Sequence, residues 1–164
     1  MAAEPTAAEA PFGLVWGPMD RVDKPSIVDR EANLTGLYYF YDRPLASGPD
    51  TVGVVLVVCR EQGLQQVVWV GRPLDGPAHA TAREAIRREG VRRYGEPQPG
   101  PAPGSLVSPS GQAFLATRTL PDGALGLVMS ASGPDYAACS ENHRTATGHP
   151  AAAHMADLIG GMVP

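Results

Sequence analysis

The stretch that decides the fold is Thr51-Val52-Gly53-Val54-Val55-Leu56-Val57-Val58-Cys59-Arg60, then Glu61-Gln62-Gly63, then Leu64-Gln65-Gln66-Val67-Val68-Trp69-Val70. The first run is almost continuously β-branched and apolar at both odd and even positions. Such side chains fit a pleated backbone, and a strand apolar on both faces belongs at the centre of a sheet. Gly63 supplies the left-handed conformation that a short hairpin loop needs. The two runs therefore read as one antiparallel hairpin.

Upstream, Gly36-Leu37-Tyr38-Tyr39-Phe40-Tyr41-Asp42 reads as a further strand, because aromatic side chains favour a pleated surface. Alternation places Leu37, Tyr39 and Tyr41 on one face and Tyr38 and Phe40 on the other. Between Met19 and Thr35 only Ser26-Ile27-Val28-Asp29 has strand character. Phe12-Gly13-Leu14-Val15-Trp16 reads as a short first strand, ended by Gly17-Pro18.

Downstream, residues 71–77 connect to the one clear helix. Thr81-Ala82-Arg83-Glu84 fits a capping box, and Asp75 is a rival cap one turn earlier. Ala82, Ala85 and Ile86 share one side, and the helix should end near Tyr94-Gly95. Residues 96–104 carry proline at every second position through Pro103, which excludes a helix or an inner strand. They read as an exposed polyproline-like loop dividing two halves of one sheet. The second half is a meander, with turns at Pro109-Ser110-Gly111, Pro121-Asp122-Gly123 and Gly133-Pro134-Asp135. Tyr136-Ala137-Ala138-Cys139 reads as a short final strand that brings Cys139 to the sheet holding Cys59. A polar stretch follows, and Pro150 opens a short helix through Met155, Leu158 and Ile159.

These elements predict an α+β fold: a mostly antiparallel sheet of five to seven strands, one main helix packed on it and a short C-terminal helix. Residues 1–11 are expected as a disordered tail, 12–140 as a single domain, and 141–164 as a polar tail with the short helix.

Composition narrows the function. The chain has 164 residues and a formal charge of −4, which argues against a nucleic-acid surface. With 19 glycines and 17 prolines it is too turn-rich for a helix bundle. No apolar run approaches the ~18 residues of a membrane span. Neither G-x-x-x-x-G-K-[ST] nor G-x-G-x-x-G occurs, which argues against nucleotide chemistry. The Ala-rich, acidic start has the composition of a segment that follows a cleaved export leader, with the leader itself lying outside these residues. The expected location is periplasmic or extracellular. Cys59 and Cys139 are then either two free thiols or one disulfide, and export favours the disulfide.

Several constellations offer chemistry, each with a bland counterpart. Tyr38, Tyr39, Phe40 and Tyr41 form a docking surface if one strand face is open to solvent, and a core if both are covered. Arg87, Arg88, Arg92 and Arg93 form a basic patch, or a solvated helix face laced with glutamates, which is the favoured reading. Cys139, His143 and Glu141, with Arg118, are the raw material of a small hydrolase or transferase. His143, His149 and His154, with Cys139, are potential metal ligands, but Cys-x3-His-x5-His-x4-His matches no zinc signature. Asn33-Leu34-Thr35 fits a glycosylation sequon. His79 is expected to decorate the first turn of the main helix. No cofactor is assigned. The leading expectation is an exported, non-enzymatic binding domain that docks another protein, as an inhibitor, immunity factor or envelope accessory. Cysteine-dependent catalysis and metal binding by the C-terminal histidines are the alternatives.

Overall fold

A computed structural model of the chain describes residues 9–40, 42–46 and 50–151. The strands are β1 (Ile27–Glu31), β2 (Leu34–Phe40), β3 (Thr51–Cys59), β4 (Gly63–Gly71), β5 (Gln98–Pro99), β6 (Leu106–Val107), β7 (Ala113–Thr119) and β8 (Leu125–Ser132). Helix α1 (Gly76–Tyr94) lies between β4 and β5, and α2 (Tyr136–Thr147) follows β8. The strands form one antiparallel sheet in the order β1-β2-β3-β4-β8-β7-β6-β5. Each half of the chain thus contributes a meander. The two meet where β4 pairs with β8, from Gln66↔Ser132 to Val70↔Val128.

The α+β class agrees with the sequence, but eight strands exceed the expected five to seven. The additional pairing lies at the proline-rich segment, where Gln98 pairs with Val107 and Pro99 with Leu106. β5 is a sheet edge, where the missing N–H of Pro99 breaks no ladder.

The β3–β4 hairpin is the centre of the core, and Val54, Val55, Leu56, Val57, Val67 and Val68 are all buried. One sheet face is covered by α1, through Ala82, Ile86 and Tyr94, and by Ala10 and Trp16 of the N-terminal segment. The other face carries Leu34, Tyr38, Val55, Val57, Cys59, Val68 and Val70, with Cys139 and Ala151 packed against them. Strand alternation sorts these sets: partners Tyr38↔Val55 and Val55↔Val68 fall on the α2 side, and Val54↔Trp69 on the α1 side.

Four local expectations are corrected. Residues 12–16 form no strand; Pro11–Gly13 is a 3-10 turn, with single bridges Glu9↔Val15 and Gly17↔Leu64 around it. Ala10 is already in the core, earlier than the expected end of the tail. Helix α1 is capped not by Thr81 but by the rival Asp75, whose carboxylate accepts from the Ala78 amide at 2.9 Å. Pro77 occupies the first turn, where no N–H is needed, and Thr81 is left to donate to the Pro77 carbonyl at 3.2 Å. Finally, Tyr136–Cys139 is the first turn of α2, not a strand, and the expected polar tail continues that helix to the left-handed cap Gly148. Alanines and the Glu141–Arg144 pair, 2.6 Å apart and three residues along, support helix there. The helix expected after Pro150 lies, beyond Ala151, outside the described residues, as do residues 1–8. Among the described residues no helix is long and apolar enough to cross a membrane.

Candidate functional site

Glu31 pairs with Leu34, and Leu34 pairs with Cys59. Directly paired residues point to the same face, so these three side chains form one row across β1, β2 and β3. That face is the one beneath α2. A disulfide joins Cys59 to Cys139 in the first turn of α2, with Cα atoms 6.1 Å apart. His143 follows one helical turn later on the same side. Its Nε2 lies 2.8 Å from Glu31 Oε1. Past the Gly148 cap the chain turns back, and His149 Nε2 comes within 2.6 Å of the same oxygen.

The two imidazoles meet edge-on, with ring centres 5.2 Å apart and planes at 75°. The donor atoms of Glu31, His143 and His149 all lie within 4.8 Å of one another. His143 is fully buried, whereas the Glu31 and His149 side chains keep 34% and 43% of their exposure. Neighbouring bonds hold the frame. Thr147 Oγ1 donates to the His143 carbonyl at 2.8 Å and accepts from the His149 amide at 3.3 Å. Asn33 Nδ2 donates to the Cys139 carbonyl at 3.1 Å. Gln65 Oε1 accepts from the Asp135 amide at the start of α2, at 2.9 Å.

Two imidazole nitrogens and a carboxylate oxygen are the donor types that zinc, copper(II) and nickel(II) favour. Around a tetrahedral ion with bonds near 2.0–2.1 Å, donors stand about 3.3 Å apart. The two nitrogens stand 2.8 and 2.6 Å from one carboxylate oxygen, closer than donors around an ion. An ion would spread them by about half an ångström. The part-exposed Glu31 and His149 face water and have room for that adjustment.

The other residues singled out from the sequence lie elsewhere. Cys139 is in the disulfide and there are no free cysteines, so no thiol accompanies His143. Glu141 is exposed and paired with Arg144, whose hydrogen bond holds its carboxyl below the usual range. His143 meets Glu31. Tyr38 and Tyr39 are buried. Burial raises both phenols, that of Tyr39 to about 12, and Tyr39 Oη donates to the Asp23 carbonyl at 2.7 Å. Phe40 is half-buried, and Tyr41 lies outside the described residues, as does His154. Arg87 and Arg88 pair with Glu84, and Arg92 and Arg93 with Glu89. Hydrogen bonds from Arg92 and Arg93 bring Glu89 down to about 2. His79 is buried, with Nε2 3.2 Å from Thr117 Oγ1, and its pKa is lowered by burial and then by Arg83. The sequon nitrogen of Asn33 is engaged with Cys139.

No protein-family model matches this chain, and neither a curated protein nor a solved structure matches it. The site is therefore read from its own geometry. Two of its three donors are histidines visible in the sequence. Glu31 carries no such signal, because it sits 118 positions from His149 in a charged strand end. Only the cross-strand register places it beneath α2. A separate apolar cleft of about 430 Å³ lies between α1 and β6–β8, lined by Ile86, Tyr94, Leu106 and Met129 among others. It opens on the opposite face of the sheet.

Proposed function

We propose that the protein is an exported, non-enzymatic binding domain whose ligand is a divalent transition-metal ion held by Glu31, His143 and His149. The observation that carries this reading is the convergence of three metal-type donors, one of them fully buried, within 4.8 Å. The Cys59–Cys139 disulfide supports an oxidising compartment. The binding role, as opposed to catalysis, is supported by the position of the apolar cleft, which is separated from the donors by the sheet. Docking through the aromatic strand loses its main support, since Tyr38 and Tyr39 belong to the core.

The experiment is equilibrium dialysis of the oxidised protein against zinc(II), copper(II) and nickel(II), with elemental analysis. One ion per chain is expected, lost in His149→Ala and in Glu31→Gln. His154→Ala shows separately whether the third histidine contributes. Failure of the oxidised protein to hold any of these ions at micromolar concentration, or binding unchanged in His149→Ala, would overturn the reading.

A further inference from the structure

We infer that the Cys59–Cys139 disulfide controls occupancy of the metal site: the donor set is complete only in the oxidised chain. This rests on the metal-binding reading above and adds its regulation. The donors come from two bodies. Glu31 belongs to the sheet, whereas His143 and His149 belong to α2 and the turn after it. What holds the two bodies together is sparse. The fully buried side chains of α2 are Cys139 and His143, the cross-link and a donor; Tyr136 is half-buried, and past the helix Ala151 packs against the sheet. Polar tethers remain at Asn33 and Gln65, both acting on the backbone of the helix start.

A 12-residue helix is marginal on its own in water, and most helical stability comes from burying an apolar face. α2 buries no aliphatic side chain in its span, so the covalent bond substitutes for a hydrophobic face. The bond also sets position. It fixes Cys139 over the row Glu31–Leu34–Cys59, and the next turn of the same helix then falls on Glu31. Without it, His143 and His149 meet Glu31 only as often as a loosely tethered helix revisits the sheet. The effective concentration of the imidazoles at the carboxylate drops accordingly.

The redox step is a thiol–disulfide exchange. An external thiol pair gives up two electrons and two protons and becomes a disulfide. The Cys59–Cys139 S–S bond breaks, and the two cysteines take up those electrons and protons as thiols. A bound zinc(II) ion, which has no redox chemistry of its own, would be released with loss of the frame. Conversely, the chain becomes competent to take up metal only after oxidation.

Two measurements test this. The first compares zinc(II) affinity, by competition with a chromophoric chelator, for the oxidised protein and for the Cys59→Ala/Cys139→Ala variant, which has no thiols to act as replacement ligands. Affinity is expected to fall about ten-fold or more. Equal affinity, within about two-fold, overturns the inference while leaving the metal-binding reading intact. No binding by the oxidised protein overturns the metal-binding reading itself. The second measurement needs no cysteine variant and covers the case in which that variant fails to fold. Linkage is reciprocal, so bound metal must protect the disulfide by the same factor. In a glutathione redox buffer with free zinc(II) clamped by a chelator, a ten-fold effect moves the reduction midpoint about 30 mV more negative. The freed thiols can themselves take up zinc(II) in wild type and variant alike, so the readout is the difference between them: the wild-type midpoint should respond to zinc(II) about 30 mV more negatively than that of His149→Ala. Equal responses in the two chains overturn the inference.

Discussion

Glu31 and Cys59 stand two strands apart in one cross-strand row, both directed at α2, and α2 answers them one turn apart with His143 and Cys139. The strand spacing puts the two sheet residues about 10 Å from each other. A helical turn, leaning across the row, spans part of that interval and the long His143 and Glu31 side chains span the rest. The cross-link and the donor cluster are therefore one piece of geometry.

Glu31→Gln separates the metal-binding role of this residue from its structural one. In the ion-free protein the amide keeps the size of the carboxylate and can still hydrogen-bond His149, so the substitution should cost no more than about 1 kcal/mol. Zinc(II) affinity should drop about ten-fold or more, since a neutral amide oxygen is a poor ligand for that ion. Melting curves with and without zinc(II) provide both readouts. A large destabilisation of the ion-free protein would assign Glu31 a structural ion pair instead.

The cross-link closes a separation of 80 residues, so its removal should cost on the order of 4 kcal/mol. For a chain of this size that is a fall in Tm of about 10 °C. Thermal denaturation of the Cys59→Ala/Cys139→Ala variant measures it. A thiol titration of the wild-type chain in denaturant, expected to detect no thiol before reduction, checks that the bond is present.

Gly63 is placed where no other residue fits. Its φ is +73°, and an added Cβ would strike the backbone carbonyl of Gly17, which pairs with Leu64 at 3.1 and 2.7 Å. Gly63→Ala should therefore cost about 2 kcal/mol or more, combining the left-handed penalty with displacement of the Gly17 segment. Gly111 has a similar φ of +76° but nothing within 4 Å of an added Cβ. Gly111→Ala isolates the backbone penalty at about 1 kcal/mol. Urea denaturation of both variants gives the comparison, and equal losses would remove the role assigned to the Gly17 contact.

The legible parts of the fold are those written in neighbouring residues. The apolar run of β3, the left-handed Gly63 and the alternation of β2 each state a local geometry, and the burial of Val54 through Val57 follows from them. Tyr136–Cys139 does not state one. Four small or aromatic residues suit a strand or a helix equally, and the choice falls to what comes next, the helix-supporting stretch that ends at Gly148. The site was half legible for the same reason. His143 and His149 sit close in sequence, but their carboxylate arrives through three strands of register and a cross-link. Likewise the tyrosines of β2 show alternation without showing that a second layer covers each face, as α2 and the N-terminal segment do here.

The buried phenols set the alkaline limit of the fold. Tyrosine ordinarily ionises near pH 10; burial raises Tyr39 to about 12, Tyr38 higher still with help from the nearby Asp29 charge, and Tyr94 and Tyr136 in the same direction. As pH rises past 10, the unfolded chain loses these protons while the folded chain keeps them. Unfolding is then favoured, so the contribution is complete below pH 10 and is lost progressively toward pH 12 and above. Chemical denaturation at stepped alkaline pH should show stability falling through this window. Tyrosinate absorbance of the folded protein should show the buried groups titrating late and together with the loss of structure. In Tyr39→Phe the fall should be shallower, because one of the raised phenols is gone. The same variant also forfeits the 2.7 Å bond to the Asp23 carbonyl, so at neutral pH it should be less stable by about 1 kcal/mol. A wild-type chain whose phenols all ionise near pH 10 without unfolding would mean that the faces of β2 are open to water, and the docking reading of that strand would regain its footing.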